Sequence, residues 1–315
     1  MKTRPLGRTG VGIAPLVLGG NVFGWTADEA TSFAILDRFA GAGFNAIDTA
    51  DVYSTWVSGH QGGESETIIG KWMKSRANRH RMVVITKVGS DMGAGRKGLG
   101  AKYIEQAADA SLRRLGVDVI DLYLSHWPDP ATSYEETLGA FQQLRKKGKV
   151  RAIGASNLDA GQMRTALDVS RTHDLPRYDV LQPEYNLHDR SGFEGALRDL
   201  CVAEGIGVIT YFALAKGFLT GKYRTPADLG QSQRGEDVAD YLTPRGMRLL
   251  EVLDDVARRN NAKPAEVALA WVMAQPGITA PISSATSVEQ VQSFIRAASL
   301  DLPAADLALL DQTGP

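Results

Sequence analysis

The sequence predicts an α/β fold: a (β/α)8 TIM barrel with an N-terminal hairpin and accessory helices, forming one domain over residues 1–315. Three observations predict it. Eight short apolar or β-branched runs alternate in order with amphipathic stretches, and parallel strands need such helical crossovers. The turn after the first run, Gly19-Gly20-Asn21-Val22-Phe23-Gly24, lacks the G-x-G-x-x-G spacing of a doubly wound sheet, and no Walker-type lysine follows it. Six successive strands end on polar side chains, which is where barrels of this kind carry their chemistry.

Residues 4–12, with Gly7 and Gly10 as turn residues, read as a small hairpin plugging the lower end of the barrel. Residues 13–18 are the first strand. The helix over 27–42 places Phe33, Leu36 and Phe39 near one face, with Thr26 as its cap and Glu29 completing a capping box. Strand 45–48, helix 64–74 and strand 82–86 follow. In the helix over 101–115, Ile104, Ala108, Leu112 and Leu115 form an apolar stripe. Strand 119–124 is interrupted by Asp121; helix 134–147, strand 151–155, helix 159–170 and strand 180–182 continue the alternation. Helix 193–204 and strand 207–211 complete the seventh unit up to its strand. About fifty residues then separate Tyr211 from the expected helix at Pro264. Residues 217–241 are polar and rich in Gly, Pro and Gln, and read as a long active-site loop. Residues 245–259 read as an accessory helix packing through Met247, Leu250, Leu253, Val256 and Ala257. The last unit is helix 264–273, strand 278–282 and helix 288–298. Residues 89–100, with five glycines, read as a loop above a strand.

Lysine and arginine total 35 against 36 acidic residues, a net charge of −1, which weighs against a broad nucleic-acid-binding face. Cys201 is the single cysteine, so neither an internal disulfide nor a thiolate metal cluster is expected; its apolar neighbours read as a buried thiol. The first residues carry no apolar signal region and no run approaches the ~20 apolar residues of a membrane span, so the expectation is a cytoplasmic chain with no membrane partner. Homo-oligomerisation is left open.

The strand ends carry Asp48 and nearby Tyr53, then Lys87, His126, Ser156-Asn157, Gln182 and Tyr211. A phenol titrates near pH ~10, so Tyr53 holds a proton at neutral pH. A cation such as Lys87 beside it lowers that value and eases donation to a developing alkoxide. Asp48 would pair a buried Lys87 ammonium, and His126 would orient or polarise a substrate oxygen. Asn157 and Gln182 offer amides that match a carboxamide, and Tyr211 a flat ring for stacking. Trp25 and Trp127 are candidates for the substrate pocket. Plain structural accounts stay open for each: a core salt bridge for Asp48 and Lys87, packing for Tyr53, a turn cap for His126, loop caps for the amides, and rim aromatics for the tryptophans. Asp48, Asp51, His60 and Glu64 do not read as a metal site, because Lys87 competes for Asp48 and no histidine doublet is near.

Several ordered segments carry a resemblance. They are Ile47-Asp48-Thr49-Ala50-Asp51-Val52-Tyr53, Ile85-Thr86-Lys87, Ser111-Leu112-Arg113-Arg114-Leu115-Gly116, Asp121 through Asp129, Ile153-Gly154-Ala155-Ser156-Asn157, Gln182-Pro183-Glu184-Tyr185-Asn186, and Lys216 through Tyr223. Together they resemble the aldo-keto reductase family over essentially the whole chain, in its bacterial and potassium-channel-β-subunit-like branch. The resemblance implies a catalytic tetrad of Asp48, Tyr53, Lys87 and His126, with Tyr53 donating the proton as a nicotinamide delivers hydride to an aldehyde or ketone. It further implies carboxamide contacts at Ser156, Asn157 and Gln182, Tyr211 under the nicotinamide, and Gly217 and Leu219 in the loop over the pyrophosphate. The alternative it leaves open is a cofactor-binding regulatory subunit with slow turnover.

The resemblance also implies NADP, with NAD as the rival. The run at the last strand, Pro281 to Gln290, offers Ser283, Thr286 and Gln290 but no arginine or lysine for a 2'-phosphate, and Ser293-Phe294 replaces the pair expected near the adenine. Hydroxyls at a helix N-terminus still suit a phosphate. The loops over 54–64 and 89–100 are expected to rim the mouth and shape specificity, for instance for a sugar or a bulky secondary alcohol or ketone.

Overall fold

Most of the barrel strands are apolar on both faces, and a strand of that kind is stable only where both faces are covered. In the computed structural model, which describes residues 2–313, eight such strands close on one another. They are β3 (Val17–Gly19), β4 (Ala46–Asp48), β5 (Val83–Val88), β6 (Ile120–Ser125), β7 (Val150–Ser156), β8 (Val180–Gln182), β9 (Gly207–Thr210) and β10 (Ala280–Ser283), all parallel, with β10 closing against β3. The helices α1 (Glu29–Gly41), α2 (Glu64–Arg76), α3 (Ala101–Leu115), α4 (Tyr134–Lys146), α5 (Ala160–Thr172) and α6 (Ala196–Glu204) provide the crossovers. α7 (Pro244–Arg259) and α8 (Pro264–Ala274) both follow β9, and α9 (Val288–Ala297) and α10 (Ala304–Asp311) follow β10. This is the (β/α)8 barrel read from the sequence.

Two apolar layers result. One lies between sheet and helices and includes Trp72, Tyr123, Phe141 and Trp271. The other fills the barrel with Val17, Ala46, Val83, Ile85, Leu122, Leu124, Ala152, Val180, Ile209 and Ala280. Below it the hairpin of β1 (Arg4–Pro5) and β2 (Gly12–Ile13) inserts Leu6 and Ile13 as a plug. Gly7 sits there with φ +57 and a Cβ on it would meet the Asp179 carbonyl at 2.2 Å, so the plug seats only without a side chain. Asp121, which breaks the strand pattern, accepts from the Val84 N–H at 2.9 Å and pairs with Arg79 and Arg151.

Some expectations are corrected. The first strand is split: Gly12–Ile13 belongs to the hairpin and Val17–Gly19 to the barrel, with Pro15, which has no N–H for a ladder, between them. Helix α1 is capped by Asp28, whose carboxylate accepts from the Thr31 N–H at 2.8 Å, not by Thr26. The chain around Thr26 is a tight turn instead, with the Ala27 N–H bonded to the Val22 carbonyl at 3.0 Å. Residues 193–195 precede α6 rather than belonging to it. The polar segment after β9 is not featureless: it winds through single-turn helices at Ala215–Thr220, Pro226–Gln231 and Glu236–Tyr241. Cys201 is buried as expected, and burial pushes its thiol up to about 12.

Candidate active site

Side chains alternate along a strand, so a residue two positions beyond an interior apolar side chain also points into the barrel, one layer higher. That parity assembles the site. Ala46 is followed by Asp48, Ile85 by Lys87, Leu124 by His126, Val180 by Gln182 and Ile209 by Tyr211. Above Ala152 and Gly154 stands Ser156. The polar ring therefore lies on the apolar filling, at the C-terminal rim.

At its centre Lys87, fully buried, spends its three ammonium donors within the protein. Nζ donates to Asp48 Oδ2 at 2.6 Å, to the Thr49 carbonyl at 2.8 Å and to the Tyr53 hydroxyl at 3.1 Å. Asp48 accepts a further bond from Gln182 Nε2 at 2.8 Å. Burial raises the Tyr53 phenol, and the pull of Lys87 in the other direction does not overcome it. The expected net lowering by Lys87 is thus corrected: the geometry keeps the phenol protonated at neutral pH. For Lys87 the attraction of Asp48 and Tyr53 outweighs burial, and its pKa is raised. His126 is held well below the usual histidine value, first by burial and then by Lys87, so it is a neutral imidazole. Its Nδ1 pairs with Ser90 Oγ at 2.9 Å and its ring meets Tyr53 edge-on at 6.0 Å.

The amide group expected to receive a carboxamide is brought together, but its members bond to one another. Ser156 Oγ donates to the Gln182 carbonyl at 2.7 Å, Asn157 Nδ2 donates to the His126 carbonyl at 2.9 Å, and the Tyr211 hydroxyl donates to Asn157 Oδ1 at 2.7 Å. Asn157 holds φ +62, the left-handed region that asparagine tolerates.

Over this ring opens a cavity of about 1010 Å³. Asp48, Tyr53 and His126 line its floor, and Trp25, Trp127, Gly217, Ser283, Thr286 and Gln290 line its walls. Leu219 does not: its side chain is fully buried in the outer core, whereas Gly217, at φ +109, brings bare backbone to the wall. Several wall residues escaped the sequence reading. Trp56 bridges Tyr53 and Trp25 edge-on, at 5.7 and 5.6 Å. Lys216, Lys222, Arg234 and Lys263 supply cations from the segment after β9 and the start of α8. Ser90, in the glycine-rich loop, positions His126. A polar residue beyond a strand end was the available signal for Ser90; for the cations no local pattern existed.

The volume stands at the upper end of the roughly 300–1,000 Å³ of small-molecule sites, room for an extended cofactor with a substrate beside it. The lining fits a dinucleotide: protonated phenol and neutral imidazole at one end, hydroxyls and amides at Ser283, Thr286 and Gln290, and lysines on the wall.

Behind the floor lies an unpaired acid. Asp51 is 2% exposed, and neither carboxylate oxygen has a hydrogen-bond partner among the described residues. Burial first, and then Glu66 of α2, push it up to about 7, while Arg114 of α3 and Lys87 draw it down. A folded value above the ordinary 3.8 makes the native state the tighter proton binder between those two values, so its contribution is intact below pH 3.8 and lost as pH rises to about 7. Asp51→Asn removes this dependence. The variant is expected to gain stability relative to the parent as pH climbs from 4 to 8, by up to about 4 kcal/mol from linkage. Urea unfolding at a series of pH values checks it, and parallel curves for the two proteins would refute it.

A model of the aldo/keto reductase family matches residues 15–314. The chain is 31% identical to Protein tas of Escherichia coli, over 92% of this chain and 91% of that protein. It is 35% identical to the uncharacterized oxidoreductase YrpG of Bacillus subtilis, over 98% and 95%, and 31% identical to the NADH-specific methylglyoxal reductase of Escherichia coli, over 98% and 97%. Among the described residues no helix is long and apolar enough to cross a membrane. The chain belongs to the aldo/keto reductase family and is an NAD(P)H-dependent oxidoreductase that acts on carbonyl groups.

Proposed function

We propose that this chain reduces an aldehyde or ketone to its alcohol with Tyr53 as proton donor and NADP(H) as the favoured cofactor. The carrying observation is the buried relay from Asp48 through Lys87 to the Tyr53 hydroxyl, opening into the cavity beside a neutral His126.

When bound, the nicotinamide supplies the hydride. The chain's own residues handle position and proton. Ser90 Oγ pairs with His126 Nδ1; in the tautomer that carries its proton on Nε2, the neutral His126 would donate a hydrogen bond to the substrate carbonyl oxygen, without a charge of its own. Tyr53 gives its proton to that oxygen as negative charge develops, and Lys87 stabilises the phenolate left behind. Asp48 keeps the ammonium in place and balances its charge. Running in reverse, the same phenolate accepts the proton of an alcohol. Ser156, Asn157 and Gln182 would hold the carboxamide by exchanging bonds they make within the polar ring, and Tyr211 would lie against the nicotinamide. Gly217 would let the pyrophosphate approach bare backbone.

The preference for NADP(H) rests on Lys263 and its neighbours. The run from Pro281 to Gln290 has no cation, but the fold brings Lys263 to the cavity wall from the N-terminus of α8. A 2'-phosphate is dianionic or nearly so and gains from such a charge; a 2'-hydroxyl does not. The same reading predicts turnover. Titration with NADPH and NADH should show the tighter binding for NADPH, and Lys263→Met should narrow the gap by about tenfold. A panel of aldehydes and ketones should then consume the bound reduced form. Equal or weaker NADPH binding refutes the cofactor choice, and intact binding without turnover across the panel refutes the reductase reading.

A further inference from the structure

Between Tyr53 and α2 the chain runs out into a tip and returns. Ser54, the residue after the proton donor, is fully buried, and its Oγ pairs with His60 Nδ1 at 3.0 Å. That bond ties residues 55–59 into a loop closed at its base. The base is pinned at other points too. The Tyr53 carbonyl accepts from the Gly63 N–H at 2.9 Å, the Ser54 N–H donates to Glu64 Oε2 at 3.2 Å, and Glu64 Oε1 accepts from the Gln61 N–H at 2.8 Å. Gly62, at φ +90, has no room for a side chain: a Cβ there would stand 2.6 Å from the Asp51 carbonyl oxygen.

The tip so fixed carries Trp56. Among the described residues the exposed large apolar side chains are Trp56, Trp127 and Val202, and the first two line the cavity over the polar ring. Apolar surface left in water at the mouth of a cavity is surface that a ligand can cover. The rings form an arc. Trp25 meets Trp56 at 5.6 Å, Trp56 meets Tyr53 at 5.7 Å, Tyr53 meets His126 at 6.0 Å, and His126 stacks on Trp127 at 6.0 Å. Proton donor and imidazole stand in the middle of this arc with indole on both sides. A carbonyl oxygen that reaches Tyr53 and His126 therefore brings the rest of its molecule against indole, and Trp56 is the indole that touches the phenol ring.

We propose that Trp56 is a specificity-determining residue that favours carbonyl compounds with a flat aromatic body, and that His60 is the positioning residue that holds it in place. The proposal deepens the reductase reading and rests on Tyr53 marking the carbonyl position. An aromatic ring packed against an indole gains more than the area it buries, and a saturated ring of the same size does not. His60 is not among the residues that line the cavity. It acts through Ser54, by closing the tip whose one indole reaches the substrate.

The test uses benzaldehyde and cyclohexanecarbaldehyde, which match in size and differ in flatness. Trp56→Ala should lower the benzaldehyde-to-cyclohexanecarbaldehyde ratio of kcat/KM by about three- to tenfold, the size of one aromatic pair, with the loss falling on KM. His60→Ala frees the tip and should lower the ratio in the same way. His60→Gln keeps a partner for Ser54 Oγ and should restore it. The double variant Trp56→Ala/His60→Ala should lose no more selectivity than Trp56→Ala alone, because His60 acts only through the indole. An unchanged ratio in Trp56→Ala overturns the proposal. So does a His60→Ala variant that slows both aldehydes alike, or a double variant in which the two losses add. Benzyl alcohol, which cannot react while the cofactor is reduced, reports the same contact without turnover. Its dissociation constant from the NADPH-saturated protein, measured by calorimetry, should rise by a similar factor in Trp56→Ala. If neither aldehyde is reduced, the reductase reading fails on its own and benzyl alcohol binding still decides the role of Trp56.

Discussion

Tyr53→Phe is expected to lower kcat for carbonyl reduction by about 10²–10⁴-fold, the range associated with losing a positioned general acid, while cofactor binding is retained. The substitution is clean because the ring contacts survive. Phenylalanine keeps the edge-on contacts to Trp56 and His126 and the 4.8 Å approach of the Lys87 ammonium to the ring. What disappears is the hydroxyl and the third acceptor of Lys87, at 3.1 Å. Two acceptors, Asp48 and the Thr49 carbonyl, still hold the ammonium, so the fold should remain. Steady-state rates together with a fluorescence titration of the cofactor separate the two effects. Turnover within a few-fold of the parent would remove Tyr53 from the proton step. The pH dependence adds a second reading. Burial holds the phenol above its ordinary value of 10.0 and His126 is already neutral, so neither group changes protonation between pH 7 and 9. The reductive kcat should be flat there.

The barrel was legible because its signals are local and repeated. Apolar runs of three to seven residues, separated by amphipathic helices, mark β5, β6 and β7 unambiguously, and α3 appears with the predicted bounds Ala101–Leu115. The floor of the site was legible for a related reason: the two-residue period that buries Ile85 or Leu124 also fixes the direction of Lys87 or His126. Features set by distant contacts were not. α10 has only eight residues and holds on through others, with Arg259 bonding Asp306 at 2.9 Å and Trp271 bonding Asp311 at 2.8 Å. Thr26 looked like a helix cap because its neighbours in sequence fit the pattern, yet Asp28 two positions on competes better for the free N–H groups. The cations of the cavity wall were missed because a search near the last strand looks in the wrong part of the chain. Lys263 and Arg234 reach the cavity from elements placed by the barrel's closure. The Tyr53 phenol was misjudged in net direction because a sequence shows the partner Lys87 but not the depth of burial.

Lys87→Met tests the relay from its other end, and its largest effect falls on stability. Asp48 is 3% exposed and faces the ammonium at 2.6 Å. Removing the cation leaves a buried carboxylate with the Gln182 amide as its remaining partner, and breaking a buried pair in this way costs about 3–5 kcal/mol. The loss must depend on pH. Without Lys87, burial raises the Asp48 carboxyl further above its ordinary value, so the variant is least harmed below pH ~4, where the group is protonated in both states. The penalty then grows as pH rises through neutrality. Urea unfolding at pH 5 and pH 8 should show the larger deficit at pH 8. Lys87→Met combined with Asp48→Asn should recover much of it, because a neutral amide needs no counter-charge, and the coupling between the two sites should be well above the roughly 0.5 kcal/mol of independent positions. Activity should stay low in both variants, since neither retains a cation to stabilise the phenolate. A single variant that is as stable as the parent at pH 8, or a double variant no better than the single, would show that Asp48 and Lys87 are not the coupled pair on which the Tyr53 chemistry rests.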